Sequence, residues 1–180
     1  MNKVLKEVLS TSLYILIVLV LTLLLVKFVG QRTVVNGSSM ETTLTDRDNL
    51  IVDKLSYRFG DPQRFDVVVF PYQNKKNIHF IKRIIGLPGE TIQIDNNGNI
   101  YINGELLEEH YGFEKMEYPG VAAIPITLGE NEYFVLGDNR NDSRDSRFED
   151  VGPIPRSMLI GKAWVRFWPL HNAGKVDNIK

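Results

Sequence analysis

Two polar side chains in this chain of 180 residues could form a nucleophile and its base. The first is Ser39, which follows a turn that contains Gly37. A hydroxyl beside exposed backbone N–H groups can attack a carbonyl, because those groups can stabilise the oxyanion that develops. The segment is not a G-x-S-x-G elbow, since Glu41 stands where the second glycine would be. Taken alone, such a turn is more commonly an ordinary surface turn.

The second side chain is Lys82, which lies in the apolar run 79–85. Alternate side chains share a face of a strand, so Lys82 should lie with Phe80 and Ile84 while Arg83 points the other way. Burial between apolar neighbours favours the neutral amine, which can act as a general base. The alternative is an edge strand from which the lysine reaches solvent.

A third patch is the polar loop, residues 137–147, with the sequence GDNRNDSRDSR. Interspersed Asp, Arg and Ser side chains can brace one another through charge-assisted hydrogen bonds. The spacing from Asp138 to Glu149 suits a calcium loop, but Arg140 and Ser143 stand where an oxygen ligand and a glycine are needed. We therefore do not expect calcium here.

Composition excludes several other kinds of chemistry. The chain has no cysteine, which rules out disulfides, thiolate metal sites and a cysteine nucleophile. The three histidines, His79, His110 and His171, lack zinc-site spacing. A net charge of -1 without a basic stripe argues against nucleic acid as a partner. We expect no metal or other cofactor, and His79 should face away from Lys82.

Residues 8–29 are almost uncharged and predict one transmembrane anchor, after a short N-terminal tail at residues 1–7. About 20 helical residues cross a hydrocarbon core of roughly 30 Å. A cleavable secretory signal is the alternative, because Lys3 and Lys6 give a basic start. The apolar run is long, however, and no small-x-small cleavage site follows it. The flanking positive charges are nearly balanced and do not fix the orientation.

Residues 30–180 predict a mainly β domain. Short β-prone runs recur along it, at 49–52, 66–70, 78–85, 91–94, 100–102, 132–136 and 163–168. Close spacing with little helix favours an antiparallel, barrel-like architecture. Residues 44–48 and 57–64 predict loops, and residues 105–126 predict an irregular excursion rich in glycine and proline.

In this order, behind an apolar segment, four motifs resemble the boxes of bacterial type I signal peptidases, which are Ser/Lys-dyad serine proteases. The family patterns are S-M-x-P-T-L, R-G-D-[VI]-[VI]-V-F, K-R-[VIA]-[VI]-G-L-P-G-[DE] and G-D-N-R-x-x-S-x-D-S-R. The matching segments are SMETTL at 39–44, RFDVVVF at 64–70, KRIIGLPGE at 82–90 and the polar loop. The resemblance spans nearly the whole chain, and its last two motifs are long and specific.

The resemblance implies a role for five residues of this sequence. Ser39 matches the family nucleophile and Lys82 the general base. Ser143 matches the serine that orients the lysine, and Asp145 and Arg147 match a structural ion pair beside the site.

The remaining parts of the site are an oxyanion hole and a substrate pocket. Some relatives have a serine where this chain has Gly37, so the backbone N–H groups of Gly37 and Ser39 are expected to hold the oxyanion. Four apolar residues are expected to line shallow pockets that admit alanine: Val35, Met40, Phe80 and Ile81.

Two positions depart from the family pattern. Thr42 replaces a proline and Phe65 replaces a glycine, and neither change removes a chemical group from the mechanism. The resemblance implies a membrane-bound endopeptidase that removes signal peptides from exported preproteins after small residues. It implies a single-pass protein of the bacterial cytoplasmic membrane, with its catalytic domain outside the cytoplasm and the bilayer and export machinery nearby.

Three alternatives stay open from the sequence. One is a Ser/Lys protease with another target, such as a self-cleaving repressor, although no DNA-binding helical domain is evident. A second is a catalytically silent homologue that binds signal peptides or a membrane partner. The third is an anchored β domain with a structural role, which the presence of both Ser39 and Lys82 in their motifs disfavours.

Overall fold

The computed structural model describes residues 3–75, 78–112 and 114–176, with the backbone alone described at 25–28. Those ranges contain a long helix α1 (Lys3–Phe28), a short helix α2 (Ser56–Phe59) and twelve strands. The strands are β1 (Gly30–Val34), β2 (Asn49–Asp53), β3 (Val67–Pro71), β4 (His79–Gly86), β5 (Thr91–Ile94), β6 (Ile100–Ile102), β7 (Glu105–Leu106), β8 (Ile126–Thr127), β9 (Glu132–Leu136), β10 (Ile154–Pro155), β11 (Gly161–Trp168) and β12 (Gly174–Lys175). Three short 3₁₀ turns complete them, at Gly120–Ala123, Arg156–Met158 and Leu170–Asn172.

Helix α1 carries the charged residues Lys3, Lys6 and Glu7 in its first turns and is almost entirely apolar from Leu13 to Leu24. Its described side chains, residues 3–24, are exposed. The span Lys3–Leu24 is long and apolar enough to cross a membrane, by length and composition. An exposed helix that is apolar all round is stable where lipid replaces water, since its backbone polar groups bond within the helix.

The strands form two antiparallel sheets. The larger sheet has the order β1-β2-β11-β3-β4-β9-β10, with β12 paired to β11. The smaller sheet has the order β7-β6-β5-β8 and is built from residues 91–127. The predicted mainly antiparallel β class is confirmed, but the larger sheet stays open, with β1 and β10 at its edges, rather than closing into a barrel.

Both faces of the larger sheet are covered by apolar side chains. Alternation along β3 sends Val67 and Val69 into one buried cluster and Val68 and Phe70 into another. A third cluster joins the two sheets through β9, β5 and β6. Because strand neighbours face opposite sides, a buried sheet of this kind requires near-continuous apolar runs such as VVVF at 67–70.

The junction between α1 and β1 is short and fixed to the sheet. One residue, Val29, separates the end of the helix from Gly30. The Lys54 N–H, just beyond β2, donates to the Val29 carbonyl at 3.0 Å. The first strand of the sheet therefore begins at the end of the apolar helix.

Two local expectations differ from the structure. Residues 57–64 were expected to be a loop, yet Ser56–Phe59 forms one helical turn, where Asp53 accepts from the Leu55 and Ser56 amides. Helix α1 begins at Lys3 and so includes most of the tail expected at residues 1–7; residues 1 and 2 lie outside the described ranges.

Candidate active site

Lys82 lies in the middle of β4 with its amine inside the protein. The residue is only 3% exposed. Val68 of β3 pairs with it along one strand edge, whereas the other edge has no described strand partner before residue 83. Nζ lies 2.6 Å from Ser39 Oγ and donates to the Ile81 carbonyl at 3.1 Å. The two residues singled out by their chemistry are thus in hydrogen-bond contact.

The surroundings of Lys82 shift its protonation towards the neutral amine. Burial, the largest cause, lowers its pKa to about 8. The carboxylates of Asp145 and Asp138 act in the opposite direction, and the Arg147 guanidinium lowers the pKa further. About half of the amine is therefore neutral near pH 8, and it can accept a proton there.

Packing along β4 follows the alternation expected for a strand. The Phe80 ring centroid lies 5.0 Å from Lys82 Nζ, and Phe80 and Ile84 pack in the same cluster. The Arg83 guanidinium instead reaches Asp138, with bonds of 2.8 and 2.7 Å. Lys82 and Arg83 thus point in opposite directions, Lys82 towards Ser39 and Arg83 towards Asp138.

Ser39 is carried by the turn that follows β1. Met40 anchors this turn, because its side chain is buried in an apolar cluster of the larger sheet. The polar loop holds it from the other side: the Asn139 N–H donates to the Ser39 carbonyl at 3.1 Å, and the Ser38 hydroxyl donates to Asp142. Nucleophile turn and polar loop are therefore one connected unit.

The backbone amide of Gly37 differs from the expectation that it faces the oxyanion. Its N–H donates to Asp46 Oδ1 at 2.8 Å. Within the described chain, no acceptor is bonded to the Ser39 N–H. In this conformation the Ser39 amide is available to an oxyanion, whereas the Gly37 amide becomes available only when Asp46 releases it.

Ser143 lies beside the pair without bonding to it. Its hydroxyl is buried and has no hydrogen-bond partner among the described residues, so the expected bond to Lys82 is not formed here. Ser143 can lie close to the Ser39 backbone because residue 137 is a glycine. A Cβ at that position would collide with Ser143 Oγ and lie 2.5 Å from the Ser39 carbonyl oxygen. The orienting role of Ser143 stays a prediction.

Asp145 and Arg147 form a fully buried, two-bond ion pair, with Nε–Oδ1 2.8 Å and Nη2–Oδ2 2.9 Å. The Gly137 N–H donates to the same carboxylate at 3.0 Å. Arg147 also donates to the carbonyls of Arg140 and Tyr118, at 2.6 and 3.0 Å. The pair therefore fixes the fold of the polar loop behind Lys82.

A second buried network was not foreseen from the sequence. Asp138 accepts from Arg83 and also from the Thr43 hydroxyl at 2.5 Å. The Tyr111 ring covers the Arg83 guanidinium, with 3.7 Å between Cζ and the ring centroid. A charged side chain inside a buried strand requires a partner of opposite charge. The position of Arg83 in an apolar run therefore indicated that such a partner exists, but it did not identify Asp138.

The excursion at residues 105–126 packs against the back of the polar loop. Glu109 pairs with the buried guanidinium of Arg140 at 2.7 Å. Arg140 Nε in turn donates to the Gly137 carbonyl at 3.0 Å. The excursion therefore holds the loop that surrounds Lys82, a contact that local sequence patterns did not indicate.

An open cleft of about 260 Å³ lies in front of the pair. Ser39 and Lys82 line it, and Asp142 and Arg144 stand at one side. All four residues expected to form the substrate pocket also line it: Val35, Met40, Phe80 and Ile81. In the described ranges, no three His, Cys, Asp or Glu side chains are grouped so that they could hold a metal ion.

A serine hydroxyl in contact with a buried lysine amine, in an open cleft, is the arrangement of the serine hydrolases that use lysine in place of histidine. Residues 7–168 match the family model described as signal peptidase, peptidase S26. The chain belongs to this family.

Named relatives agree with this membership. A probable signal peptidase I-2 from Synechocystis is 44% identical over 152 residues, covering 82% of this chain and 67% of that protein. Signal peptidase I S from Bacillus subtilis is 33% identical over 180 residues, which cover 96% of this chain and 95% of that protein. A solved signal peptidase I from Enterococcus faecalis is 35% identical and covers 57% of this chain and 96% of its own, with a TM-score of 0.47.

Proposed function

We propose that this protein is a membrane-bound serine endopeptidase that removes N-terminal signal peptides from exported preproteins after small residues. Ser39 is its nucleophile and Lys82 its general base. One observation carries the assignment of roles: the 2.6 Å contact between Ser39 Oγ and the amine of a lysine that is only 3% exposed.

The reaction follows from the protonation state of Lys82. When the amine is neutral, the Ser39 hydroxyl can donate to its lone pair and lose its proton to it as Oγ attacks the scissile carbonyl. The resulting ammonium then protonates the leaving amine of the mature protein. Neutral Lys82 next takes a proton from water as the water attacks the acyl carbonyl. When the bond from the acyl group to Oγ breaks and frees the signal peptide, the Lys82 ammonium returns this proton to Ser39 Oγ.

The oxyanion of each tetrahedral intermediate requires donors close to Oγ. The Ser39 N–H supplies one, since no described group occupies it. The Gly37 N–H supplies the second after its bond to Asp46 opens. A preorganised donor contributes about 3–4 kcal/mol to transition-state stabilisation, and the Gly37 N–H contributes less because its bond to Asp46 must first break.

Substrate binding is supported by two strand edges that line the same cleft. Strand β1 is an edge of the larger sheet, and residues 79–82 of β4 have no partner on one side among the described strands. An extended peptide can add its backbone hydrogen bonds to such edges. Val35, Met40 and Ile81 then limit the space for side chains before the cut, which favours alanine.

The anchor brings the cleft to its substrate. Helix α1 spans the bacterial cytoplasmic membrane, and the β domain lies on the extracytoplasmic side, where the lipid surface and the export machinery are its neighbours. A preprotein held in the same bilayer by its own apolar segment reaches the site at a high effective concentration. The short junction at Val29 supports this placement.

Cleavage of a model preprotein by the full-length protein in detergent tests the proposal, with the cut position identified by mass spectrometry. Ser39→Ala and Lys82→Ala should each reduce kcat/KM by at least about 10³-fold. Activity of the unaltered enzyme should rise with pH through about 8, because only the neutral Lys82 amine accepts the proton. Lys175→Ala, which removes an exposed lysine of β12, is the control.

Near-full activity of Lys82→Ala would contradict the assignment of the base. Absence of cleavage by the unaltered protein, together with failure of an acylating inhibitor to label Ser39, would favour a homologue that binds signal peptides without cutting them.

A further inference from the structure

The cleft in front of Ser39 continues into a second groove of about 390 Å³. Four residues line both spaces: Val34, Asn36, His79 and Phe80. Beyond them, the groove is lined by the start of β1, including Gln31, Arg32 and Thr33. A peptide extended along the free edges of β1 and β4 would therefore pass through the groove before it reaches the dyad.

The groove lies on the side of the anchor. Gly30, the first residue of β1, comes two positions after the last residue of α1, and Arg32 lies two positions further along the strand. In a preprotein the apolar segment precedes the cut, so residues before the cut approach from the membrane. The groove consequently faces the part of the signal peptide that joins its apolar core to the cleavage site.

Among the described residues, Arg32 forms no ion pair with a carboxylate, unlike most of the other arginines. Eight others form ion pairs with carboxylates in the described ranges: Arg47, Arg64, Arg83, Arg140, Arg144, Arg147, Arg156 and Arg166. Arg32 Nε and Nη2 instead both donate to the amide oxygen of Asn49, at 3.0 and 2.6 Å. A neutral amide orients the guanidinium and leaves its positive charge in place.

The opposite wall adds a second nitrogen group and no negative charge. His79 lies at the start of β4 and is exposed to the groove. None of the described residues that line the groove is Asp or Glu. An anionic group would meet donors from both walls here, whereas a cationic group would be repelled by Arg32 and would find no carboxylate among the described lining residues.

We propose that this groove is a charge-selective subsite that accepts an acidic side chain of the signal peptide and disfavours a basic one. The inference rests on the proposed function and specifies its substrate. His79 precedes Lys82 by three strand residues, which is about 10 Å. Residues at the first and third positions before the cut occupy the small pockets, so the groove meets the fourth to sixth positions.

Model preproteins with alanine at the first and third positions before the cut, and Asp, Ser or Lys at the fourth, fifth or sixth, test the subsite in lipid-free detergent. At one of these positions kcat/KM should follow the order Asp, Ser, Lys, with about a fivefold difference between Asp and Lys. Added salt should reduce the difference. Arg32→Gln should bring the ratio of kcat/KM between the Asp and Lys substrates close to one, and Arg32→Lys should retain most of the preference for Asp.

Lys175→Gln removes one positive charge from β12, three strands across the larger sheet from Arg32 and outside the groove lining, and should leave the preference unchanged. Equal cleavage of Asp and Lys substrates at all three positions, or a preference that survives in Arg32→Gln, would overturn the subsite while leaving the peptidase function intact. Absence of cleavage from every substrate would instead contradict the proposed function. Weaker binding of Arg32→Gln to phosphatidylglycerol vesicles, with an unchanged preference, would assign the guanidinium to lipid.

Discussion

The two halves of the dyad are supported in different ways. Lys82 sits within an eight-residue strand, and buried ion pairs, Arg83 with Asp138 and Arg147 with Asp145, surround it. Ser39 sits in an irregular turn that Met40 anchors in an apolar cluster, whereas the start of the turn is held by exposed bonds such as that between Gly37 and Asp46. The base is thus held entirely by the core, and the turn of the nucleophile partly by bonds at the surface.

This difference matches what each group has to do. The protonation of Lys82 depends on the exclusion of water and on a balance of fixed charges, so its surroundings must not move. Ser39 must attack a carbonyl, carry an acyl group and release it, so its turn must adjust. The ways to test this comparison begin with the buried side, where the largest effect is expected.

Arg147→Met should be the most damaging of these changes to stability. It leaves the Asp145 carboxylate buried without its cation, at a cost of about 3–5 kcal/mol. The pKa of Lys82 should also rise, because Arg147 lowers it and Asp145 raises it, so the activity profile should move to higher pH. Denaturant unfolding followed by tryptophan fluorescence, and the pH profile of kcat/KM, measure the two effects.

The matched control is Arg47→Met, because the Arg47 side chain is 87% exposed and its ion pair with Asp46 is long. A loss of stability in Arg147→Met no larger than in this control would show that the buried pair does not support the base.

Gly137→Ala should affect activity more than stability. Its methyl group would overlap both Ser143 Oγ and the carbonyl oxygen of Ser39, and would push these two groups apart. Displacement of the nucleophile by a fraction of an ångström should lower kcat by roughly 10–100-fold, with a stability loss of about 1–3 kcal/mol. Gly174→Ala is the control, since a Cβ there meets no atom within 4 Å; equal kcat in the two variants would refute the steric role.

Asp46→Ala should have the smallest effect, because it loosens only the turn. The variant loses the carboxylate that accepts from the Gly37 N–H. Because this carboxylate is half exposed, the free energy of unfolding should fall by at most about 1 kcal/mol. Asp46→Asn keeps an acceptor oxygen and should recover most of the loss. If Asp46→Ala instead destabilises the protein as much as Arg147→Met, the proposed contrast between the two sides is wrong.

Local patterns predicted the strands well, because they depend on neighbours in the sequence. Apolar runs such as 66–70 and 78–85 correspond to β3 and β4, and the opposite orientations of Lys82 and Arg83 followed from alternation alone. The helical turn at Ser56–Phe59 was missed, because its hydrogen bonds depend on the side chain of Asp53 rather than on an apolar period.

The candidate site was predictable through the four motifs, and its supports were not. Arg83 and Asp138 are 55 residues apart in sequence, and no local rule pairs them. The same holds for Glu109, whose partner Arg140 belongs to a different motif. The bond between Gly37 and Asp46 depends on how the turn folds back on itself, which spacing alone does not specify.

The short passage from α1 to β1 has a geometric consequence. With one residue between helix and strand, and with that residue bonded to Lys54, the β domain has little freedom to move relative to the end of the helix. In the proposed membrane orientation, the fold therefore sets the height of Ser39 over the lipid. Peptide bonds held at that height would be within reach, and an Ala-x-Ala sequence far out in a mature domain would lie beyond it.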